Sequence, residues 1–228
     1  MTRVVIAGGH GKIALHLERL LAERGDKVVG LIRNPDHVAD VEATGAEAAV
    51  LDLESASVDD VAAVVSGADA VVFAAGAGPG SGAARKDTVD RAAAVLLADA
   101  AERSGVQRYV MVSAMGADER TAAETADPVF AAYLRAKAAA DDDVLGRSAL
   151  RTTVVRPGLL TDDAGTGRVS IAEQTGRGSV PRQDVAAVLA AVLDAPETSG
   201  LVFELIGGET PVVDAVAALM RKRTVRRP

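Results

Sequence analysis

The sequence predicts an α/β protein built on a doubly wound, mostly parallel sheet. Three observations carry this. Short runs rich in Val, Ile and Ala recur along the chain, amphipathic helical segments separate them, and Gly or Pro marks most of the joins. Strands that read as continuous apolar runs are buried on both faces, as in a parallel sheet covered by helices. A length of 228 residues suits one domain, 1–228, better than two.

The elements follow in order. Val4–Ile6 reads as the first strand, and residues 11–24 as a helix with Ile13, Leu17, Leu20 and Leu21 on one face. Gly25-Asp26 stops that helix. Val28–Ile32 is the second strand, and a short helix from Pro35 to Thr44 leads to the strand Glu47–Leu51. Ser55 and Ser57 are placed to cap the helix Val58–Val65, which precedes the strand Ala70–Ala75. A long helix, Asp87–Arg103, ends at Ser104-Gly105. Tyr109–Ser113 is the fifth strand. Asp127-Pro128 opens a helix over 129–145, and Thr152–Arg156 is the sixth strand, closed by Pro157-Gly158. The Gly-rich stretch 161–179 reads as a loop, either a substrate lid or a surface excursion. A helix over 182–194, the strand Leu201–Ile206 and a last helix from Val212 complete the chain.

Composition removes several classes of function. No apolar run reaches the roughly 18 residues of a membrane span, and the first residues enter a strand without a signal-peptide pattern. With no cysteine, disulfides, thiolate nucleophiles and Cys-based zinc sites are excluded, and a cytoplasmic location is expected. A net charge of −7 and an aromatic content of 2% argue against nucleic-acid binding. The basic tail (Arg221, Lys222, Arg223, Arg226, Arg227) is expected to complement the dipole of the last helix and fray into solvent. His10, His16 and His37 lack metal-ligand spacing. Asp141-Asp142-Asp143 point in different directions along a helix, which reads as a solvated face. No metal is expected.

The turn after the first strand carries the strongest motif. In VVIAGGHGKIA, Gly8, Gly11 and Ala14 have the spacing G-x-x-G-x-x-A between a strand and a helix. Gly8 allows the tight turn, Gly11 the approach of a pyrophosphate to the backbone, and Ala14 close packing of helix on strand. Gly9, His10, Lys12 and Ile13 complete the turn, and the helix start offers N–H groups to phosphate. This is a Rossmann-type fingerprint, and it predicts a nicotinamide dinucleotide. The second strand ends in Arg33, where an NAD enzyme commonly places a carboxylate on the ribose. A guanidinium grips a 2′-phosphate bidentately, so NADP(H) is expected to be preferred, with NAD(H) as the alternative. Asp52-Leu53, after the third strand, is placed to contact the adenine, with Asp52 either accepting from the exocyclic amine or capping the next turn.

Tyr133 and Lys137 form Y-x-x-x-K on one helix face. The lysine is expected to lower the tyrosine pKa toward the range useful for proton transfer. Ser113 ends the fifth strand at the carboxyl edge of the sheet, where its hydroxyl would orient a substrate oxygen.

Together these residues resemble the atypical short-chain dehydrogenase/reductase family, in its NAD(P)H-binding, NmrA-like and NAD-dependent epimerase-like branch. The resemblance spans nearly the whole chain. It rests on AGGHGKIA, Asp52-Leu53, FAAGAG at 73–78, YVMVSAMGA at 109–117, YLRAKAAAD at 133–141 and TVVRPGLL at 153–160. It implies that Ala74, Ala75 and Gly76 line the adenosine side and that Ser113, Tyr133 and Lys137 are catalytic. Lys137 would also hold the nicotinamide ribose, and Arg156-Pro157-Gly158 would run beside the nicotinamide. Residues from about 157 to 228 form a small C-terminal substrate-binding extension, shorter than in the extended relatives. The expected activity is NADPH-dependent reduction of a small carbonyl-like substrate. The alternatives are a sugar epimerase, a flavin- or biliverdin-type reductase, and a non-catalytic NADP(H) sensor presenting a surface to a partner protein. A homo-oligomer is compatible with the sequence.

Overall fold

The computed structural model describes residues 1–78 and 80–225. Of the basic tail, Arg226 and Arg227 lie outside the described residues, and so do the side chains of Lys222 and Arg223.

The first half alternates strand and helix. It runs β1 (Arg3–Ala7), α1 (Lys12–Glu23), β2 (Lys27–Ile32), α2 (Val38–Glu42), β3 (Glu47–Val50), α3 (Val58–Val65) and β4 (Ala70–Phe73). A continuous helical stretch follows: α4 (Ala83–Arg85), a π-helical segment Lys86–Ala92, and α5 (Ala93–Arg103). Next come β5 (Arg108–Val112), α6 (Glu119–Glu124), α7 (Pro128–Gly146) and β6 (Arg151–Pro157). The last third holds β7 (Leu159–Thr161), β8 (Arg168–Ala172), β9 (Ser179–Pro181), α8 (Arg182–Leu193), β10 (Val202–Gly207), β11 (Thr210–Pro211) and α9 (Val212–Val225).

Nine strands form one sheet in the order β11-β8-β10-β6-β5-β4-β1-β2-β3. The pairs from β3 across to β10 are parallel, while β8 and β11 close the edge in antiparallel pairings. Alternate residues of each strand feed two cores, as strand geometry requires. Val4 and Ile6 join the core beneath α1, α8 and α9, whereas Val5 and Ala7 join the one beneath α3, α5 and α7. Fully buried strands explain the unbroken apolar runs.

The stretch 161–179 departs from the expected loop. It contains the end of β7, all of β8 and the start of β9, and β8 pairs with β10 from Ala172↔Glu204 to Val169↔Gly207. Its glycines hid a strand whose partner lies more than thirty residues downstream. Buried Asp184 tethers the approach to β8, accepting from the backbone N–H groups of Thr166 at 3.0 Å and Gly167 at 2.8 Å. No helix among the described residues is long and apolar enough to cross a membrane.

Candidate functional site

The connection reverses direction at β1, which is flanked by β2 on one side and β4 on the other. A crevice therefore opens at the carboxyl ends of β1 and β4, where ligands of open α/β sheets bind. A cavity of about 290 Å³ lies there. From the end of β1 it takes Gly8, His10 and Gly11; from the ends of β2 and β3, Arg33, Asp52 and Leu53; from the end of β4, Ala74, Ala75 and Gly76. Nine of the residues expected to hold a cofactor thus line one groove. His37, Glu54, Arg85 and Val89 line it as well, and the sequence reading did not single them out for this role.

The local backbone explains the glycines. Gly8 has φ +83°, and a Cβ there would stand 2.6 Å from the Cα of Ala75. A Cβ on Gly9 would stand 2.7 Å from the Cα of Gly30, so Gly9 serves the packing of the turn on β2 and does not line the groove. Gly11 caps α1 and brings no side chain to its first amides. The N–H groups of Lys12 and Ile13 begin the helix with the positive end of its dipole, a fit for a diphosphate. Ile13 turns its side chain into the core.

Lys12, Pro157 and Gly158 lie outside the groove, and His10 at its edge has partners of its own. Lys12 pairs with Asp162, which also accepts from Arg182 at 2.6 Å, so this lysine is tied to the segment after β7. The His10 ring stacks on His37 at 3.5 Å, and its Nε2 lies 2.9 Å from Asp40 Oδ2. Pro157 ends β6 and Gly158 follows it, on the same edge of the sheet but outside the groove. Gly158 donates to the Leu205 carbonyl at 2.9 Å, and a Cβ on it would meet the Gly178 oxygen at 2.3 Å.

The three expected catalytic residues converge around two buried carboxylates. Ser113 Oγ donates to Asp141 Oδ2 at 2.8 Å, and Arg156 reaches the same oxygen through Nε and a terminal nitrogen, each at 2.9 Å. Lys137 is 3% exposed; its Nζ donates to the Val112 carbonyl at 3.1 Å and lies 3.4 Å from Asp90 Oδ1. Asp90 sits on the π-helical segment, a device found often at functional sites. Its other oxygen accepts from the Ala77 N–H at 3.3 Å. Tyr133 is half-buried, stacked on Phe130 with ring centroids 5.9 Å apart, and Lys86 Nζ stands 5.3 Å from its ring centre. Its hydroxyl makes no hydrogen bond among the described residues.

Two expectations are corrected here. Asp141 is fully buried rather than solvated, because Ser113 and Arg156 meet it from the ends of β5 and β6. Its pKa is nonetheless raised, burial outweighing those partners. Nor does Lys137 depress the Tyr133 phenol. Burial, then the charges of Asp90 and Asp141, push that pKa up. Burial also pulls Lys137 down, against the same two carboxylates. The lysine charge is spent on Asp90.

A spacing signal for Asp141 was present. Tyr133, Lys137 and Asp141 stand at i, i+4 and i+8 of α7, one stripe of one helix face. Asp90, Glu54 and Arg85 had no such signal, since their partners come from other elements.

The profile of the NAD(P)H-binding family matches residues 8–196. The chain belongs to this family. Among family relatives, a Bacillus subtilis protein named YhfK, an uncharacterised sugar epimerase, is 36% identical over 95% of this chain and 100% of its own length. A Bacillus halodurans protein provisionally named an NAD-dependent epimerase/dehydratase superposes with a TM-score of 0.87 at 33% identity, covering 96% of this chain and 100% of that one. ChuY, described as an anaerobillin reductase from Escherichia coli O157:H7, superposes with a TM-score of 0.73 at 25% identity, over 90% of this chain and 97% of its own.

Proposed function

We propose that the protein is an NADPH-dependent oxidoreductase that reduces a small carbonyl-like substrate. The observation that carries this reading is the Tyr133 phenol, which is without a hydrogen-bond partner among the described residues and is held protonated beside a buried charge cluster. Such a group is poised to give a proton. An alkoxide is a stronger base than a phenolate, so transfer from Tyr133 to a nascent alkoxide stays downhill even with the phenol pKa raised. The groove from Gly8 to Arg33 and Gly76 would hold the adenosine end of the dinucleotide, and the first amides of α1 its diphosphate. When bound, the reduced nicotinamide supplies the hydride. Lys137, anchored by Asp90 and the Val112 carbonyl, would carry its donors to the nicotinamide ribose. Ser113 donates its hydrogen to Asp141 in this structure and would turn that hydrogen to the substrate carbonyl oxygen to orient it.

Arg33 at the groove supports a preference for NADP(H), since β2 is followed by a guanidinium that can grip a 2′-phosphate and not by a carboxylate that would hold the ribose hydroxyl. The name of the Bacillus subtilis relative favours a second reading, sugar epimerisation, in which Tyr133 would exchange a proton reversibly with a sugar hydroxyl.

Calorimetric titration tests the cofactor, with NADPH expected to bind at least ten-fold tighter than NADH. Equal affinities would remove the preference, and no heat with either would remove the cofactor. In a screen of carbonyl, quinone and nucleotide-sugar substrates, Tyr133→Phe is expected to lower kcat by about 10²–10⁴ while NADPH affinity holds. Unchanged turnover would overturn the role of Tyr133.

A further inference from the structure

We propose that Glu54 is an internal stand-in for the 2′-phosphate, holding Arg33 and Arg85 as a two-armed clamp and setting how strongly phosphorylated dinucleotides are favoured. This rests on the NADP(H) reading above, and it adds a second phosphate ligand and a residue that opposes binding.

Three separate segments converge on the Glu54 carboxylate. Oε2 accepts from a terminal nitrogen of Arg85 at 2.6 Å and from one of Arg33 at 3.2 Å. Oε1 accepts from Thr88 Oγ1 at 2.8 Å and from Arg85 Nε at 3.4 Å. Arg33 follows β2, Arg85 ends α4, and Thr88 lies on the π-helical segment. Arg33, Glu54 and Arg85 all border the nucleotide groove.

Charge decides what the arrangement is for. Two guanidinium groups share one carboxylate, so the trio keeps one positive charge at the rim of the groove. A phosphate monoester carries close to two negative charges and three acceptor oxygens, and matches two planar donor forks better than a carboxylate does. Glu54 is one-quarter exposed, with room to turn toward water when such a group arrives. Until then it fixes both arginines near the geometry they need, which lowers the ordering cost of binding. Its charge also repels the incoming phosphate and must be displaced, which weakens binding. An unphosphorylated ribose presents no anion and leaves the trio undisturbed.

The test compares adenosine 2′,5′-bisphosphate with 5′-AMP, ligands that differ only in the 2′-phosphate, by calorimetry on the full chain. Glu54→Gln is close to isosteric at a partly exposed position, and its melting temperature is recorded alongside. The expected result is a five- to ten-fold tighter grip on the bisphosphate with 5′-AMP unchanged. Arg85→Gln is expected to weaken the bisphosphate by ten-fold or more, as Arg33→Gln does, again with 5′-AMP unchanged. A Glu54→Gln protein with the wild-type ratio of affinities would overturn the proposal. So would one that loses 5′-AMP, which would make Glu54 a ribose ligand. The two readings fail separately. A wild type that does not distinguish the ligands, beside a Glu54→Gln variant that does, sinks the native preference and keeps the clamp. A discriminating wild type with an unaltered variant does the reverse.

Discussion

Tyr109 and Tyr133 show how placement divides the roles of one side chain. Tyr109 is fully buried on β5, and its hydroxyl donates to the Ala94 carbonyl at 2.9 Å, which makes it a core residue. Tyr133 keeps its ring half-covered and its hydroxyl uncommitted. Glu18 is a carboxylate buried at a cost. It is 0% exposed on α1; its Oε1 has no partner, and Thr44 Oγ1 reaches the other oxygen at a long 3.4 Å. Burial pushes its pKa from 4.5 up to about 8. The folded state therefore holds a proton that the unfolded chain releases near 4.5. Stability from this group is full below 4.5 and is lost as the pH rises toward 8, at about 1.4 kcal/mol per pH unit. Glu18→Gln removes the titration. Melting curves from pH 5 to 8 should show the native protein losing stability relative to the variant. Parallel curves would mean that Glu18 ionises normally.

Elements carry their own signals. α3 begins with a capping box: Ser57 Oγ accepts from the Asp60 N–H at 3.2 Å, and the Asp60 carboxylate accepts from the Ser57 N–H at 2.9 Å. The Ser57 hydroxyl, which donates to the Asp60 carboxylate at 2.6 Å, and then the Ser57 N–H hold Asp60 below the usual carboxylate range. The cap is intact above that range and weakens as the pH falls through it. Ser57→Ala is expected to cost about 1 kcal/mol in urea unfolding at neutral pH. An unchanged midpoint would show that tertiary packing alone holds α3. The helix before β5 illustrates the opposite case. Its periodicity announces a helix, but the π-helical turn that aims Asp90 at Lys137 is invisible in sequence, because it depends on what α7 presents to it.

At the scale of the whole molecule, Arg108 joins the parallel sheet to the C-terminal layer. One terminal nitrogen donates to the Arg151 carbonyl at 2.9 Å and Thr153 Oγ1 at 2.8 Å; the other to the Val192 carbonyl at 2.8 Å and Thr198 Oγ1 at 3.0 Å. No carboxylate is among these partners, and burial lowers the guanidinium pKa to about 10. The end of α8 supplies the compensating negative dipole. A lysine keeps the charge but cannot fork to four acceptors. Arg108→Lys is therefore expected to cost on the order of 2 kcal/mol in denaturant unfolding, with faster hydrogen exchange over 192–201. Wild-type stability and exchange would show that the clamp is dispensable.

Periodicity and punctuation by themselves determined the strands β1 to β6, the helices between them except α4 and α6, the doubly wound fold and the glycine turn, because each depends on residues close together in the chain. The groove was legible as well, from Gly8 to Gly76, since a parallel sheet brings all its carboxyl ends to one edge. Only the tertiary structure decided that 168–172 is a strand, that Asp141 is buried, that Lys137 answers to Asp90, and that Arg33 shares Glu54 with Arg85. Each of these is a pairing between distant segments. Burial and the charge of a partner set the state of an ionisable group, and neither is written in its neighbours along the chain.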